Sequence, residues 1–376
     1  MPARLDVREY LEEPMVLTEP RLIERPRTRP ALIDCDLHNE LHGDVAALLP
    51  YLPRRWREHV EMFGAHPPAG GYYPRFMDHR EDARPPSGRR SGSDVHFTAA
   101  HYLDRYNVAY AILIPLSGAG AVQNLELSAV LSTAVNDWQI AEWLDHDPRL
   151  RASITIPFED PPAAVQEIRR RASDRRFVQV QFTGRPHEPM GRRKYWPIYE
   201  ACVEYGLKVM SHAFGSYGQP ITGCGWPSYY LEEHVGPAQA MQANIISMVI
   251  EGVFEHFPTL KLVSVENGFA WLPSLMWRLD SAWKLLRAEV PHLKRLPSEY
   301  IREHVYLTTQ PMEEPHRPRY FLEMLEQHGS VDRIMFASDY PHWDADNPDE
   351  AFPIELPPDV ERKIFFENAA ALYGLG

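Results

Sequence analysis

The stretch "LIDCDLHNE", residues 32–40, sets Asp34, Asp36, His38 and Glu40 at alternate positions behind a short apolar start. On an extended strand alternate side chains leave the same face, so Asp36 and His38 can reach one ion together, with Asp34 one layer deeper. Imidazole nitrogen and carboxylate oxygen are donors for zinc, manganese or a similar divalent cation. A buried hydrogen-bonded pair at a strand end is the competing reading. The rest of the chain has to decide between them.

Working outward, seven further strand-like runs follow: "VAYAILIPL" (108–116), "RASITIPF" (151–158), "FVQVQF" (177–182), "LKVMSHAF" (207–214), "LKLVSVE" (260–266), "VYLTT" (305–309) and "RIMFASD" (333–339). With "ALIDCD" (31–36) they make eight. Between them lie helical patterns such as 124–147, 161–172 and 270–290, with apolar residues recurring at three- and four-residue steps. Continuous apolar strands alternating with helices predict an α/β fold, a (β/α)8 TIM barrel. An open doubly wound sheet would need a Gly-rich phosphate loop after the first strand, and "DLHNEL" offers none.

Three segments fall outside the alternation: an N-terminal extension (1–30) and insertions near 50–98 and 215–236, leaving 31–376 as a single barrel domain. Both insertions are rich in aromatic residues ("GGYYPRF", "GWPSYYLEEH") and long enough to act as lids or interface arms. Such walls would suit a flat, conjugated or aromatic substrate.

In a barrel the C-terminal strand ends carry the chemistry. Four of them end on reactive side chains: Asp36 and His38 on the first strand, His212 on the fifth, Glu266 on the sixth and Asp339 on the eighth. Asp36, His38, His212 and Asp339 are the expected metal ligands, with zinc first and manganese or iron as alternatives. Asp339, Glu266 and His212 are the expected catalytic groups. Each has a structural competitor: a satisfied core histidine for His212, a helix cap or Asx turn for Asp339, a structural ion pair for Glu266. His234, His342 and Asn267 lie beside these motifs, and structural roles serve them equally well. Cys35 alternates with Asp36 and reads as an inert core thiol.

These motifs, "IDCDLH", "SHAFG", "HFPTLKLVSVENGFAWLPSLMWRLD" and "RIMFASDYPHWD", resemble the amidohydrolase superfamily, in particular its aminocarboxymuconate semialdehyde decarboxylase-like group. The resemblance covers most of residues 32–376 and implies a metal-dependent barrel enzyme with ligands at Asp36, His38, His212 and Asp339. Many members carry His-x-His on the first strand, where this chain has Asp36. The decarboxylases most like aminocarboxymuconate decarboxylase carry a catalytic histidine where this chain has Glu266. A second anion there would repel a substrate carboxylate unless it is protonated or paired with a cation. The first expectation is therefore hydrolysis of an amide, ester, lactone or related carbon by metal-activated water. Non-oxidative decarboxylation of an aromatic or unsaturated acid comes second, and a non-catalytic, metal-stabilised barrel third.

Composition narrows the partners. Against 52 acidic residues stand 39 Lys and Arg, a formal charge of −13, which argues against a nucleic-acid surface or a polybasic membrane patch. No run approaches the ~20 apolar residues of a membrane span, and the N-terminal stretch lacks a signal-type apolar core, so a cytoplasmic protein is expected. Three scattered cysteines form no CxxC and predict neither a disulfide framework nor a thiolate zinc site. The helix over 270–290 carries Trp271, Trp277 and Trp283, more aromatic surface than a solvent-facing helix needs, so a homodimer is expected.

Overall fold

A computed structural model describes residues 30–65, 79–213, 220 and 222–376. The extension (1–29), "GGYYPRF" and most of 214–221 lie outside the described residues. Eight strands, β1 (Leu32–Leu37), β2 (Val108–Leu113), β3 (Leu150–Thr155), β4 (Phe177–Thr183), β5 (Lys208–His212), β6 (Leu262–Val265), β7 (Val305–Thr308) and β8 (Ile334–Met335), form one sheet in sequence order. Every neighbouring pair is parallel. The circle closes where Cys35 N donates to Phe336 O (3.0 Å), Asp339 N to Asp36 O (3.1 Å) and His38 N to Tyr340 O (2.8 Å). The expected (β/α)8 barrel is therefore present, with β8 shorter than its apolar run suggested.

Local chemistry explains the helices that wrap it. Asn124 caps Leu125–Gln139 by accepting from Leu127 N, and Asp160 caps Pro161–Arg171 by accepting from Ala163 N. Proline in the first turn suits Leu272–Leu286, where the missing N–H has no intrahelical partner anyway. Glu313 accepts from the N–H groups of Phe269 and Ala270 just before that helix. β1 is buried along its whole length, as a strand covered on both faces must be. Ile33, Cys35, Met210, Val263 and Met335 pack with Ala369 and Leu372 of the C-terminal helix Asn368–Tyr373. Each such large apolar side chain contributes about 1.5–3 kcal/mol on burial. Burial, with the charges of Asp34 and Asp36 adding, pushes the Cys35 thiol up, which matches an inert core residue. Among the described residues no helix is long and apolar enough to cross a membrane.

Asp34 departs from the simple alternation. The β1–β2 register shifts between Asp34 and Leu37, and Asp36 N donates to Asp34 Oδ1 (3.1 Å). Asp34 also accepts from Ser338 N (3.0 Å), Ser338 Oγ (2.5 Å) and Tyr102 Oη (2.6 Å). Both of its oxygens are thus engaged in stitching β1 to β8, and it does not belong to the ion site expected one layer above. Burial raises its carboxyl to about 6, against the opposing pull of these hydrogen bonds.

Candidate metal centre and active site

Asp36, His38, His212 and Asp339 meet at the C-terminal mouth of the barrel, all with side chains at most 1% exposed. His38 Nδ1 lies 2.7 Å from Ile114 O, a pure acceptor, so that nitrogen carries the proton and Nε2 presents a lone pair. Nε2 faces Asp36 Oδ1 at 3.2 Å and Asp339 Oδ1 at 2.8 Å. His212 Nε2 lies 3.7 Å from Asp36 Oδ2 and 3.0 Å from Glu266 Oε2. Donor atoms of Asp36, His38 and His212 lie within 4.8 Å of one another, as do those of Asp36, Glu266 and Asp339.

This arrangement fits a divalent cation. Among the described residues both oxygens of Asp36 and Oδ2 of Asp339 are buried and receive no well-directed hydrogen bond. Lone pair set against carboxylate oxygen in a dry pocket is unfavourable until a cation sits between them. Donors bound at ~2.0–2.2 Å to one ion stand about 3–3.5 Å apart, the range into which the separations seen here fall or come close. The sequence named Asp36, His38, His212 and Asp339 as ligands; Asp36, His38 and His212 form one close group, and Asp339 joins His38 in another with His342.

The backbone points to the same place. Among the described residues only Asn107, Glu266 and Asp339 are non-glycine residues with positive φ, and the last two, at 60° and 61°, lie just past β6 and β8. Left-handed backbone in a residue with a Cβ costs roughly 1–3 kcal/mol and clusters at functional sites. Glu266 is buried, its N–H donating to Thr308 Oγ1 (3.2 Å). Burial and the charge of Asp339 push its carboxyl up to about 7, with His212 opposing. Asp339 goes the other way: burial alone would raise it, but His342 holds it well below the usual carboxylate range. Burial would likewise lower His212, yet Glu266 and Asp36 hold it well above the ordinary imidazole value.

His342 is a site residue that its sequence position did not single out. Its ring stacks on His38 at 4.3 Å between centroids, and Nδ1 lies 2.7 Å from Asp339 Oδ1. The signal was its place three residues after Asp339 in "DYPH". Asn267 donates to Val265 O (2.6 Å), a local structural bond. His234 stands on the rim, where Nε2 lies 2.8 Å from Asp344 Oδ2. Beside it Glu233 forms a buried ion pair with Arg185 (3.3 Å), so the short helix Tyr230–His234 is fastened to the loops following both β4 and β8. Of the other insertion, the returning part crosses the mouth. His79 bridges His342 in antiparallel fashion, Arg80 N donates to Pro341 O (3.0 Å) and Glu40 N to Gly92 O (2.7 Å). Gly92 has φ 74°, and a Cβ there would stand 2.8 Å from Pro341 Cγ and 3.0 Å from His38 O, so only glycine permits this approach.

A closed parallel barrel with imidazole and carboxylate donors converging at its C-terminal mouth defines a metal-dependent barrel enzyme. The amidohydrolase family model matches residues 33–375, and the chain belongs to that family. Over 296 residues it is 24% identical to γ-resorcylate decarboxylase of Rhodococcus jostii (strain RHA1), covering 75% of this chain and 88% of the relative. The crystal structure of 2,6-dihydroxybenzoate decarboxylase from Rhizobium superposes with a TM-score of 0.66 at 20% identity, covering 92% of this chain and 99% of that one. A dihydroxybenzoic acid decarboxylase from Polaromonas sp. JS666, with bound manganese and the inhibitor 2-nitroresorcinol, gives 0.65 at 20% identity, covering 92% and 97%.

Proposed function

We propose that this chain, through one catalytic domain spanning 31–376, removes the carboxylate of a small aromatic acid as carbon dioxide. The observation that carries the reading is the pairing of Glu266 with His212 at 3.0 Å beside the ion site. The sequence favoured hydrolysis because an anion at Glu266 would repel a substrate carboxylate. With a carboxyl pushed up to about 7 and an imidazole against it, that repulsion is largely removed. The relatives, named as decarboxylases of dihydroxybenzoate-type acids, support the same choice.

When bound, the divalent ion anchors and polarises substrate oxygens. Asp36, His38, His212 and Asp339 would hold it, and this mixed donor set suits manganese as well as zinc; the manganese in the Polaromonas relative supports the former. Glu266 delivers its proton to the ring carbon that bears the carboxylate. The bond to the carboxylate carbon then breaks, its electron pair restores the aromatic ring, carbon dioxide leaves, and Glu266 remains ionised until it regains a proton from water. Hydroxybenzoic acids incubated with the metal-loaded protein should release one carbon dioxide per arene formed, read by coupled bicarbonate assay and chromatography. Hydrolysis of aryl amides or lactones with no carbon dioxide from any such acid would overturn the reading.

The helix Leu272–Leu286 leaves Trp277 53% and Leu285 85% exposed, which supports pairing with a second copy of the chain. Light scattering at micromolar concentration should give twice the mass of one chain; a single-chain mass would exclude the pairing.

A further inference from the structure

Glu40 closes the stretch that opens the barrel, yet it takes no part in the ion site described above. Its side chain is 13% exposed, with Oε1 3.9 Å from His79 Nε2 and Oε2 3.5 Å from Arg90 Nη1. His79 and His342 are comparably sheltered, at 7% and 17%. Their rings meet edge to face, 5.5 Å between centroids. One donor atom from each of Glu40, His79 and His342 falls within 4.8 Å of the others.

Asp339 Oδ1 is an acceptor 2.7 Å from His342 Nδ1, so Nδ1 donates to it and Nε2 is the ring nitrogen not engaged by that carboxylate. Imidazole that donates one N–H to a carboxylate while offering its other nitrogen to an ion is the usual arrangement around protein-bound metals. Two imidazoles and one carboxylate form a donor set for a divalent cation with affinity for nitrogen, zinc above all. Adjacent donors around tetrahedral zinc stand about 3.4 Å apart, so side-chain adjustments of about an ångström complete the shell. The electrostatics agree: Asp36, Asp339, Glu266 and Glu40 bring four carboxyl groups to one mouth, and Arg90, 48% exposed, is a weak counter-charge for the last of them.

We infer that Glu40, His79 and His342 form a second divalent-cation site on the rim of the mouth, joined to the first through the hydrogen bond from His342 to Asp339. Its ion ties three segments together: the exit of β1, the returning part of the insertion and the turn after β8. The inference stands whichever reaction the first site performs.

The test is stoichiometry on the full chain, stripped with chelator and reloaded with zinc alone, read by mass spectrometry of bound metal and by calorimetry. Wild type should bind two ions per chain. Glu40→Gln and His79→Ala should each bind one, and that retained ion shows that the variants have folded. Saturation of wild type at one ion, or two ions kept by both variants, overturns the inference. Should a variant fail to fold, anomalous diffraction from wild-type crystals grown with zinc decides: a peak among Glu40, His79 and His342 supports the site, and a single peak at Asp36 and His38 refutes it. That single peak would leave the proposed decarboxylation intact, whereas loss of the Asp36 peak would count against both.

Discussion

Replacing His212 by alanine is expected to release the ion held with Asp36, His38 and Asp339 and to slow decarboxylation by about 10⁴-fold or more, some 5.5 kcal/mol of transition-state stabilisation. The size of the effect comes from burial. His212 is fully enclosed, with Nε2 3.0 Å from Glu266 and 3.7 Å from Asp36. Without its ring the pocket keeps three buried carboxyl groups, Asp36, Glu266 and Asp339, and the cavity left by an imidazole. Like charges in a dry site cannot all stay ionised, so the variant takes up protons where the wild type takes up metal. The carboxyl of Glu266, which His212 holds down, should rise further. Metal content and carbon dioxide release together check the expectation. A variant that keeps its full complement of tightly bound ion would remove His212 from the ligand set, whatever its activity.

The barrel and the candidate ion site were legible because both depend on features that sequence order preserves. Apolar runs mark strands covered on both faces, and polar side chains at their ends mark one mouth, so Asp36 with His38, His212 and Asp339 could be picked out as candidates from three separate stretches. What escaped depended on register or on rings meeting in space. Alternation places Asp34 beside Asp36, but the shift in the β1–β2 ladder turns its carboxylate to Ser338 and Tyr102. His342 follows Asp339 by three positions, a spacing that cannot show a ring stacked on His38. Glu40 and His79 are separated by 38 intervening residues and meet because Gly92 lets the insertion return against β1. The positive φ at Glu266 and Asp339 has no sequence marker, since neither residue is the glycine that such backbone favours. The relatives favour the second expected reaction over the first for a related reason: Glu266 was weighed as an isolated anion, whereas burial and the charge of Asp339 push its carboxyl up to about 7.

Glu266→Gln isolates the proton-transfer step from ion binding. Glutamine keeps the size and one acceptor oxygen but cannot give up a proton, so the ion should remain at wild-type stoichiometry while kcat/KM falls about 10²–10⁴-fold. The pH profile is the sharper readout. The Glu266 carboxyl is raised from its ordinary value of 4.5 to about 7, so it holds its proton below that point and loses it above. If it donates to the ring carbon, wild-type activity is full on the acid side and declines as pH rises through about 7. The variant, lacking the group, should lose that descending limb along with most of its rate. Asp339 cannot substitute, because His342 keeps its carboxylate ionised across the same range. Two opposite perturbations side by side thus divide the labour: the carboxylate that stays ionised binds the cation, and the one that keeps its proton near neutrality delivers it. A Glu266→Gln enzyme within tenfold of wild type, with the same descending limb, would transfer the donor's role to another group and break that division.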